Sequence, residues 1–131
     1  MSAWTADELA RIGGAGELDI ATRRANGTLR TPRIVWVVRL GDGLYVRSVN
    51  GPDAAWYRGT RTRMQGHVRS GGIDTDVAFV DADHGLDDAL DEAYRTKYRS
   101  SPSAVDHITS SQARSTAIEL VPSRDGLLGT E

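Results

Sequence analysis

A chain of 131 residues favours a single compact domain, and its 39% of hydrophobic residues are enough for a modest core. The absence of cysteine excludes disulfides, cysteine-based zinc sites and thiol catalysis, and it fits the reducing environment of the cytoplasm. The net charge of −2, without any known binding motif, argues against a nucleic-acid partner, and no apolar run approaches the roughly 20 residues of a membrane helix.

The first predicted element is a short helix with the sequence "ADELARI". Thr5 followed by Glu8 has the spacing of a capping box, and Gly13 and Gly14 stop the helix. This segment has no basic region followed by an apolar core, so it does not resemble a signal peptide. We therefore expect a cytoplasmic protein that does not associate with a membrane.

Three strands joined by tight turns follow, which predicts an antiparallel meander. The first, "ELDIATRRA", ends near Asn26-Gly27, the strongest hairpin signal in the chain because both residues tolerate positive φ. The second is the long stretch "TLRTPRIVWVVRL", in which Pro32 indicates an edge or a bulge. Gly41-Asp42-Gly43 forms the next turn and leads into "LYVRSV".

The alternation of apolar and polar residues is lost after Pro52, so "DAAWYRGTRTR" is predicted as a short helix. A second hairpin turns at Gly71-Gly72. The clearest helix is "GLDDALDEAYRTKY", with acids early and basic residues late, as the helix dipole favours. Its apolar stripe consists of Leu86, Leu90, Ala93 and Tyr94. After a loop that contains Pro102, "STAIELV" is predicted as the last strand.

These elements predict a mainly β protein with helices packed outside a small barrel. About six strands in hairpins with tight turns are typical of a closed or partly closed antiparallel barrel. We expect residues 1–122 to form one domain and residues 123–131 to form a flexible tail.

The charges are segregated along the chain. Residues 23–69 contain ten arginines and two acids, whereas residues 74–92 contain eight acids and neither lysine nor arginine. A guanidinium group presents a planar fork of donors that suits phosphate and carboxylate. The arginine-rich half therefore indicates either an anionic ligand or solvated strand faces, and the sequence leaves both open.

The order of elements resembles the split β-barrel superfamily, which includes pyridoxamine-phosphate-oxidase-like flavoproteins and deazaflavin-dependent nitroreductases. Two stretches carry the resemblance, "RRANGTLRTPRIVWVVRLGDGLYVRSVNG" and "DAAWYRGTRTR", within residues 17–80. Inside that superfamily the chain is most similar to a small bacterial family of unknown function. The resemblance implies a six-stranded antiparallel split barrel with an N-terminal helix, a short helix after the third strand and a longer helix before the last. It also implies a homodimer with the cofactor cleft at the interface.

The resemblance further implies an oxidoreductase that uses a deazaflavin coenzyme or FMN to reduce a small organic substrate. Arg24 and Arg30 would pair with the phosphate, and Trp36 or Trp56 would cover the ring. This interpretation requires a cavity between the hairpins, rimmed by guanidinium groups and large enough for three fused rings. The full set of residues that the resemblance assigns to the cofactor is Arg24, Asn26, Thr28, Arg30, Arg33, Trp36, Ser48, Asn50, Trp56, Tyr57 and Arg58.

The chain departs from the nitroreductase pattern at three places, one of which is Gly59-Thr60, where Asn-Leu usually follows the aromatic pair. Ala25-Asn26-Gly27 stands where a lysine followed by Ser-Gly is usual, and Arg33 and Trp36 replace the small or apolar residues that commonly line the ring pocket. Two alternatives therefore stay open. One is a cofactor-free barrel that binds an anionic small molecule, and the other is a biosynthetic enzyme that orients a substrate without redox chemistry. For the aromatic residues, packing against the barrel is the competing interpretation.

Other polar residues give weaker signals. Arg47 alternates with Tyr45 and Val49, so we expect it to face solvent or a partner subunit. His67 follows Gly66 on a strand and is a candidate proton donor. The three histidines have no metal-ligand spacing and no evident carboxylate partner, so no metal is expected. The acids between residues 81 and 88 suit a helix N-terminus better than a calcium loop.

Overall fold

Seven strands and five helices make up the structure, a computed structural model that describes residues 3–123. Residues 124–131, most of the predicted tail, lie outside the described residues. The strands are β1 Leu18–Thr22, β2 Arg33–Val35, β3 Val37–Leu40, β4 Gly43–Val46, β5 Gln65–Ser70, β6 Ile73–Asp81 and β7 Ile118–Pro122. The helices are α1 Ala6–Gly14, α2 Ala55–Arg63, α3 Asp87–Lys97, α4 Pro102–Ile108 and α5 Ser111–Arg114, with short 3₁₀ turns at Gly51–Asp53 and His84–Leu86.

All strand pairs are antiparallel, and the strand order is β2-β1-β5-β6-β7-β4-β3. The two outermost strands are consecutive in the chain, with only Trp36 between them. The sheet must therefore curl until its two edges meet near Trp36, which makes a nearly closed barrel. The predicted antiparallel barrel with helices outside is confirmed.

The predicted count of six strands is corrected to seven. The stretch expected to form one long strand is two, because the chain changes pairing partner at Trp36: Val35 pairs with Leu18 of β1, and Val37 pairs with Val46 of β4. A single strand cannot follow both neighbours where the barrel closes.

Inward-facing side chains fill the barrel. Burial alternates along β5 and β7, as expected for a closed sheet with a packed interior, whereas β4 is buried at all four positions. Helix α1 covers one end with Leu9 and Ile12, and the Trp4 indole donates a 2.8 Å hydrogen bond to the carbonyl of Leu120. The strand residues of this core are Leu18, Ile20, Val35, Val37, Leu44, Val46, Val68, Val77, Phe79, Ile118 and Leu120. Within residues 3–123 these side chains fill the barrel interior, so the cavity expected between the hairpins does not lie inside the barrel.

A second apolar layer covers the outer face of β3 and β4. Val38 and Tyr45 pack there against side chains of α3 and α4. The predicted stripe on α3 is confirmed, because Leu90 and Tyr94 are fully buried and its other members are partly buried. The loop expected around Pro102 is instead helical. Proline suits the first turn of α4 because the amide hydrogen it lacks would have no partner within the helix.

The predicted local signals at the turns and at the first helix are confirmed. Gly27, with φ of 90°, lies in the turn between β1 and β2. The capping box of α1 forms, since the amide of Glu8 donates to Thr5 Oγ1 at 3.1 Å and the amide of Thr5 donates to Glu8 Oε1 at 2.9 Å. Among residues 3–123, no helix has the length and apolar character needed to cross a membrane.

Candidate functional site

A cavity of about 620 Å³ lies on the outer side of the barrel wall, where β2 passes into β3. Its volume is within the range of about 300–1,000 Å³ that is usual for small-molecule sites. Four segments line it: residues 33–36, the residues that follow β4, the start of α2 with the residue before it, and α4. The lining side chains belong to Arg33, Ile34, Val35, Trp36, Arg47, Val49, Asn50, Ala54, Ala55, Trp56, Ala104 and Ile108.

Two indole rings, each supported by a second aromatic ring, form walls of this cavity. Trp36 stacks on Tyr98 with ring centroids 3.8 Å apart and planes within 2° of parallel. Trp56 meets Tyr57 edge to face at 6.2 Å, and both pack against the barrel core. Because both indoles are partly buried and held by their neighbours, they offer fixed flat surfaces to a planar ligand.

Arg47 borders the cavity but is almost completely buried, with 1% of the residue and none of its side chain exposed. Its Nη1 donates to Asp91 Oδ1 at 2.5 Å and to the carbonyl of Ile108 at 3.2 Å, and its Nη2 donates to the carbonyl of Asp87 at 3.1 Å. The prediction that Arg47 faces solvent or a partner subunit is wrong. Its side of β4 is indeed the outer face, but α3 and α4 cover that face.

Residues 8–120 match a protein family described as "Uncharacterized protein conserved in bacteria (DUF2255)". The chain belongs to this family. The predicted resemblance to a bacterial family of unknown function is thereby confirmed. One solved structure with similarity to this DUF2255 protein is a chain named "F420 Reductase", at 13% sequence identity and a TM-score of 0.49, with 87% of this chain and 90% of that chain covered. No curated protein matches the sequence.

Four of the residues assigned to a cofactor line the cavity of the DUF2255 protein: Arg33, Trp36, Asn50 and Trp56. Arg33 and Asn50 are exposed, and the two tryptophans are partly buried. Within the described part of the chain, no acidic side chain pairs with Arg33. The cavity therefore combines a free guanidinium at its mouth with aromatic walls.

The residues assigned to the phosphate lie elsewhere, in the turn between β1 and β2. Arg24 Nη1 donates to the carbonyl of Leu29 at 2.9 Å, and Asn26 Oδ1 accepts from the amide of Thr28 at 3.1 Å. Arg30 Nη1 donates to the carbonyl of Arg23 at 2.9 Å. These side chains fasten their own hairpin, and none of them lines the cavity.

The remaining assigned residues have structural contacts. Ser48 is buried, and its hydroxyl donates to the carbonyl of Gly51 at 2.7 Å. Tyr57 lies under the guanidinium of Arg61, 4.9 Å from it, and Arg58 is exposed on α2. Neither these three side chains nor those of the hairpin belong to the cavity lining.

Sequence reasoning missed Arg47 and the residues of α4 in this site. A signal for α4 was present, because Val105 and Ile108 are three residues apart and follow a proline suited to a helix start. A signal for Arg47 was also present, since it shares a strand face with Tyr45, and a large aromatic on that face suggests that something covers it. Neither signal identifies the covering element.

A smaller cavity of about 250 Å³ lies against the outer face of β1 and β5, where Arg30 and His67 are among its lining residues. His67 Nδ1 lies 2.7 Å from Asp76 Oδ1, and its Nε2 contacts Asp74. Burial alone would lower the pKa of His67, but hydrogen bonds that its ring donates to the two carboxylates raise the pKa above its ordinary value. The expectation that the histidines lack a carboxylate partner is wrong here, while the role of proton donor stays a prediction.

A third cavity, of about 500 Å³, lies between β3 and α3 and includes Lys97, the only lysine of the chain. Its Nζ donates to the carbonyl of Val37 at 2.6 Å, and burial lowers the pKa of Lys97 to about 8.

Within residues 3–123, no group of three or more histidine, cysteine, aspartate or glutamate side chains is arranged to hold a metal ion. Of the three cavities described here, the one beside β2 has the largest volume, and the two indole rings form its walls.

Proposed function

We propose that the protein binds a planar organic anion in the cavity beside β2, and that this ligand is a flavin or deazaflavin coenzyme used to reduce a small organic substrate. One observation carries the proposal: a single cavity of about 620 Å³ holds two supported indole rings and the exposed guanidinium of Arg33. Aromatic faces suit a flat ring system, and a guanidinium suits phosphate or carboxylate.

The residues present fit such a coenzyme. Trp36 and Trp56 would hold the ring, and Arg33 with Asn50 would hold its anionic and polar substituents at the mouth. Bound there, the coenzyme would supply the hydride chemistry, and the protein would supply position, exclusion of water and electrostatics. The phosphate is assigned to Arg33 in this proposal, because Arg24 and Arg30 are used within the hairpin.

The chemistry of the lining supports a ligand that brings its own reactivity. Among the described residues 3–123, the side chains around the cavity include no carboxylate, imidazole, amine, thiol or hydroxyl. General acid–base and nucleophilic catalysis depend on such groups. The lining therefore favours a reactive ligand over side-chain catalysis, and a biosynthetic enzyme that works by orienting its substrate stays a prediction.

The same lining keeps the second candidate open, a cofactor-free protein that binds an anionic small molecule. Binding needs only the walls and the guanidinium, without any reaction. The two candidates differ in one measurable property, which is whether a bound and reduced coenzyme is reoxidised by a substrate.

The proposal is tested by titrating the purified protein with FMN and with a deazaflavin coenzyme, using tryptophan fluorescence and calorimetry. We expect binding of one of them, and Arg33→Ala should weaken it by about tenfold to a hundredfold, as the loss of a charge-assisted hydrogen bond implies. Arg24→Ala is the matched control and should leave the affinity unchanged.

Two outcomes would contradict the proposal. If neither coenzyme binds at millimolar concentration, the coenzyme assignment fails. If Arg24→Ala weakens binding and Arg33→Ala does not, the ligand occupies the hairpin surface instead. Binding without oxidation of the reduced coenzyme by any tested nitroaromatic, quinone or enone would favour the second candidate.

A further inference from the structure

The cavity of about 500 Å³ between β3 and α3 contains a nucleophile that the proposed coenzyme site does not use. This nucleophile is the amine of Lys97, the only lysine of the chain. Lys97 lines the cavity and is partly exposed. Its Nζ is held at the carbonyl of Val37, directly before residues 38–40 of the lining, so the amine lies at one end of the cavity.

The amine of Lys97 has few partners for a partly buried cation. An ammonium group has three N–H donors, yet within residues 3–123 Nζ has one hydrogen-bond acceptor, the carbonyl of Val37, and no carboxylate pairs with it. The ring of Tyr98 lies 5.1 Å from Nζ. Burial without a counter-charge lowers the pKa of Lys97 to about 8, so about half of the amine is uncharged and nucleophilic at pH 8.

The hydrogen bond to Val37 does not tie the amine permanently in place. Tyr98 Oη lies 3.2 Å from the same carbonyl, so Val37 keeps a donor within reach when Nζ moves into the cavity. The hydroxyl also lies 3.0 Å from the carbonyl of Gly16, but Gly16 is exposed and water can replace that contact. Movement of Lys97 therefore leaves no buried acceptor without a partner.

The charges of the lining favour a ligand that carries an acid group. Arg39 lines the same cavity, and its Nε donates to the carbonyl of Gly41 at 2.9 Å. Its two Nη atoms have no partner among the described residues, so they are available to a carboxylate. Glu92, a carboxylate of the lining, lies 3.9 Å from Arg95 and has its own counter-charge. The cavity thus offers an unpaired guanidinium and an unpaired amine together.

We propose that Lys97 is a covalent binding site for a small 2-oxo acid or aldehyde acid: its Nζ forms an imine with the carbonyl carbon, and Arg39 pairs with the acid group. The lone pair of Nζ forms the C–N bond, and the π electrons of the carbonyl pass to its oxygen. The two hydrogens of the neutral amine leave with that oxygen as water, so no oxidant or reductant is needed. The site is separate from the cavity beside β2 and does not depend on the proposed function.

Glyoxylate and cyanoborohydride at pH 8 test the inference, because the reductant converts each imine to a stable secondary amine that peptide mass spectrometry locates. The untagged chain has two amines, Lys97 and the α-amino group, whose ordinary pKa of about 7.7–8.0 is close to that of Lys97. A difference in their rates therefore reports the cavity rather than basicity. We expect glyoxylate to modify Lys97 at least about tenfold faster than the α-amino group, as one charge-assisted contact implies. Acetaldehyde, which lacks the acid group, should show no such preference.

Two variants separate the covalent chemistry from a structural role. Arg39→Gln should abolish the preference of glyoxylate for Lys97 and leave the reaction of Lys97 with acetaldehyde unchanged. Lys97→Arg keeps a cation that can donate to Val37 but removes the amine, so it should keep the fold and form no adduct at that position. Arg33→Ala is the control, because Arg33 belongs to the other cavity, and it should leave the labelling unchanged.

The measurement on the wild-type protein decides the inference even if Lys97→Arg fails to fold. Equal labelling of the two amines by glyoxylate, or labelling of the α-amino group alone, overturns the covalent site. A preference for Lys97 that survives Arg39→Gln overturns the assignment of the acid group and with it the ligand class. Binding of FMN or a deazaflavin coenzyme is measured separately, so failure of this inference leaves the proposed function unaffected.

Discussion

At the scale of single residues, the pair formed by Arg47 and Asp91 joins the barrel to α3. The exposed fractions of the two side chains are 0% and 9%, and two backbone carbonyls also hold the guanidinium. A pair this deeply buried contributes modestly in net terms, because desolvation offsets much of the attraction. Removing one partner costs much more stability, because the other charge then stays buried without a counter-charge.

We therefore expect Asp91→Asn to lower the free energy of unfolding by about 3–5 kcal/mol, the usual cost of leaving a buried charge unpaired. Urea denaturation measures the change. Asp7→Asn is the matched control, because Asp7 pairs with Arg11 at a similar distance of 2.8 Å on the exposed surface of α1. That control should change stability by less than about 1 kcal/mol. If the two variants changed the free energy of unfolding equally, the buried pair would contribute no more to stability than the exposed pair.

At the scale of elements, the hairpin of β5 and β6 carries a charge cluster on its outer face. His67 lies opposite Asp76 in the register and contacts both Asp76 and Asp74, while Arg23 Nη2 lies 3.3 Å from Asp76. The raised pKa of His67 means that the folded hairpin binds a proton more tightly than the unfolded chain. Protonation and folding of this element are therefore linked.

The sign of that linkage gives a pH dependence. A folded-state pKa above the unfolded value of about 6.5 adds stability that is fully present below pH 6.5 and is lost as pH rises through the folded pKa. We expect the stability difference between the wild type and His67→Gln to be larger at pH 5.5 than at pH 9, measured by urea denaturation. A difference that is flat across this range, or that grows at high pH, would contradict the assignment.

Local sequence signals predicted most of the helices and strands, because each such signal depends on a few neighbouring residues. The capping box at Thr5 and the apolar stripe of α3 need no knowledge of the rest of the fold. The missed features depend on distant partners. The division of the long strand at Trp36 is set by where β1 and β4 lie, and the burial of Arg47 is set by a helix about forty residues later in the chain.

At the scale of the whole molecule, the site also combines features that local signals predict with features that depend on distant partners. Alternation and turns predicted a barrel, and the fold places the candidate aromatic residues Trp36 and Trp56 in one cavity. The position of that cavity outside the barrel could not be predicted, because it depends on how completely the apolar side chains fill the interior. Four of the eleven residues assigned to the cofactor line the cavity, and the seven others hold turns, helices or surface positions.

We propose that a second copy of the chain covers the mouth of this cavity. Ile34 is 62% exposed and Val49 is 41% exposed, and both lie in the cavity lining. Large apolar side chains left exposed together beside a ligand site favour burial against a partner, and β2 also presents a sheet edge. Because Ile34 is exposed beside the cavity, a charge at that position should disrupt the pairing of the two copies.

Sedimentation at micromolar concentration should show a dimer of the wild-type protein, and Ile34→Asp should shift it towards the monomer. Val80→Asp is the matched control, because Val80 is 44% exposed on β6 but does not line the cavity. It should leave the dimer intact. If the cavity is completed by the partner, Ile34→Asp should also weaken coenzyme binding, and increasing the protein concentration should restore part of the affinity by mass action. A wild-type monomer, or equal dissociation by both aspartates, would place the pairing surface elsewhere or exclude it.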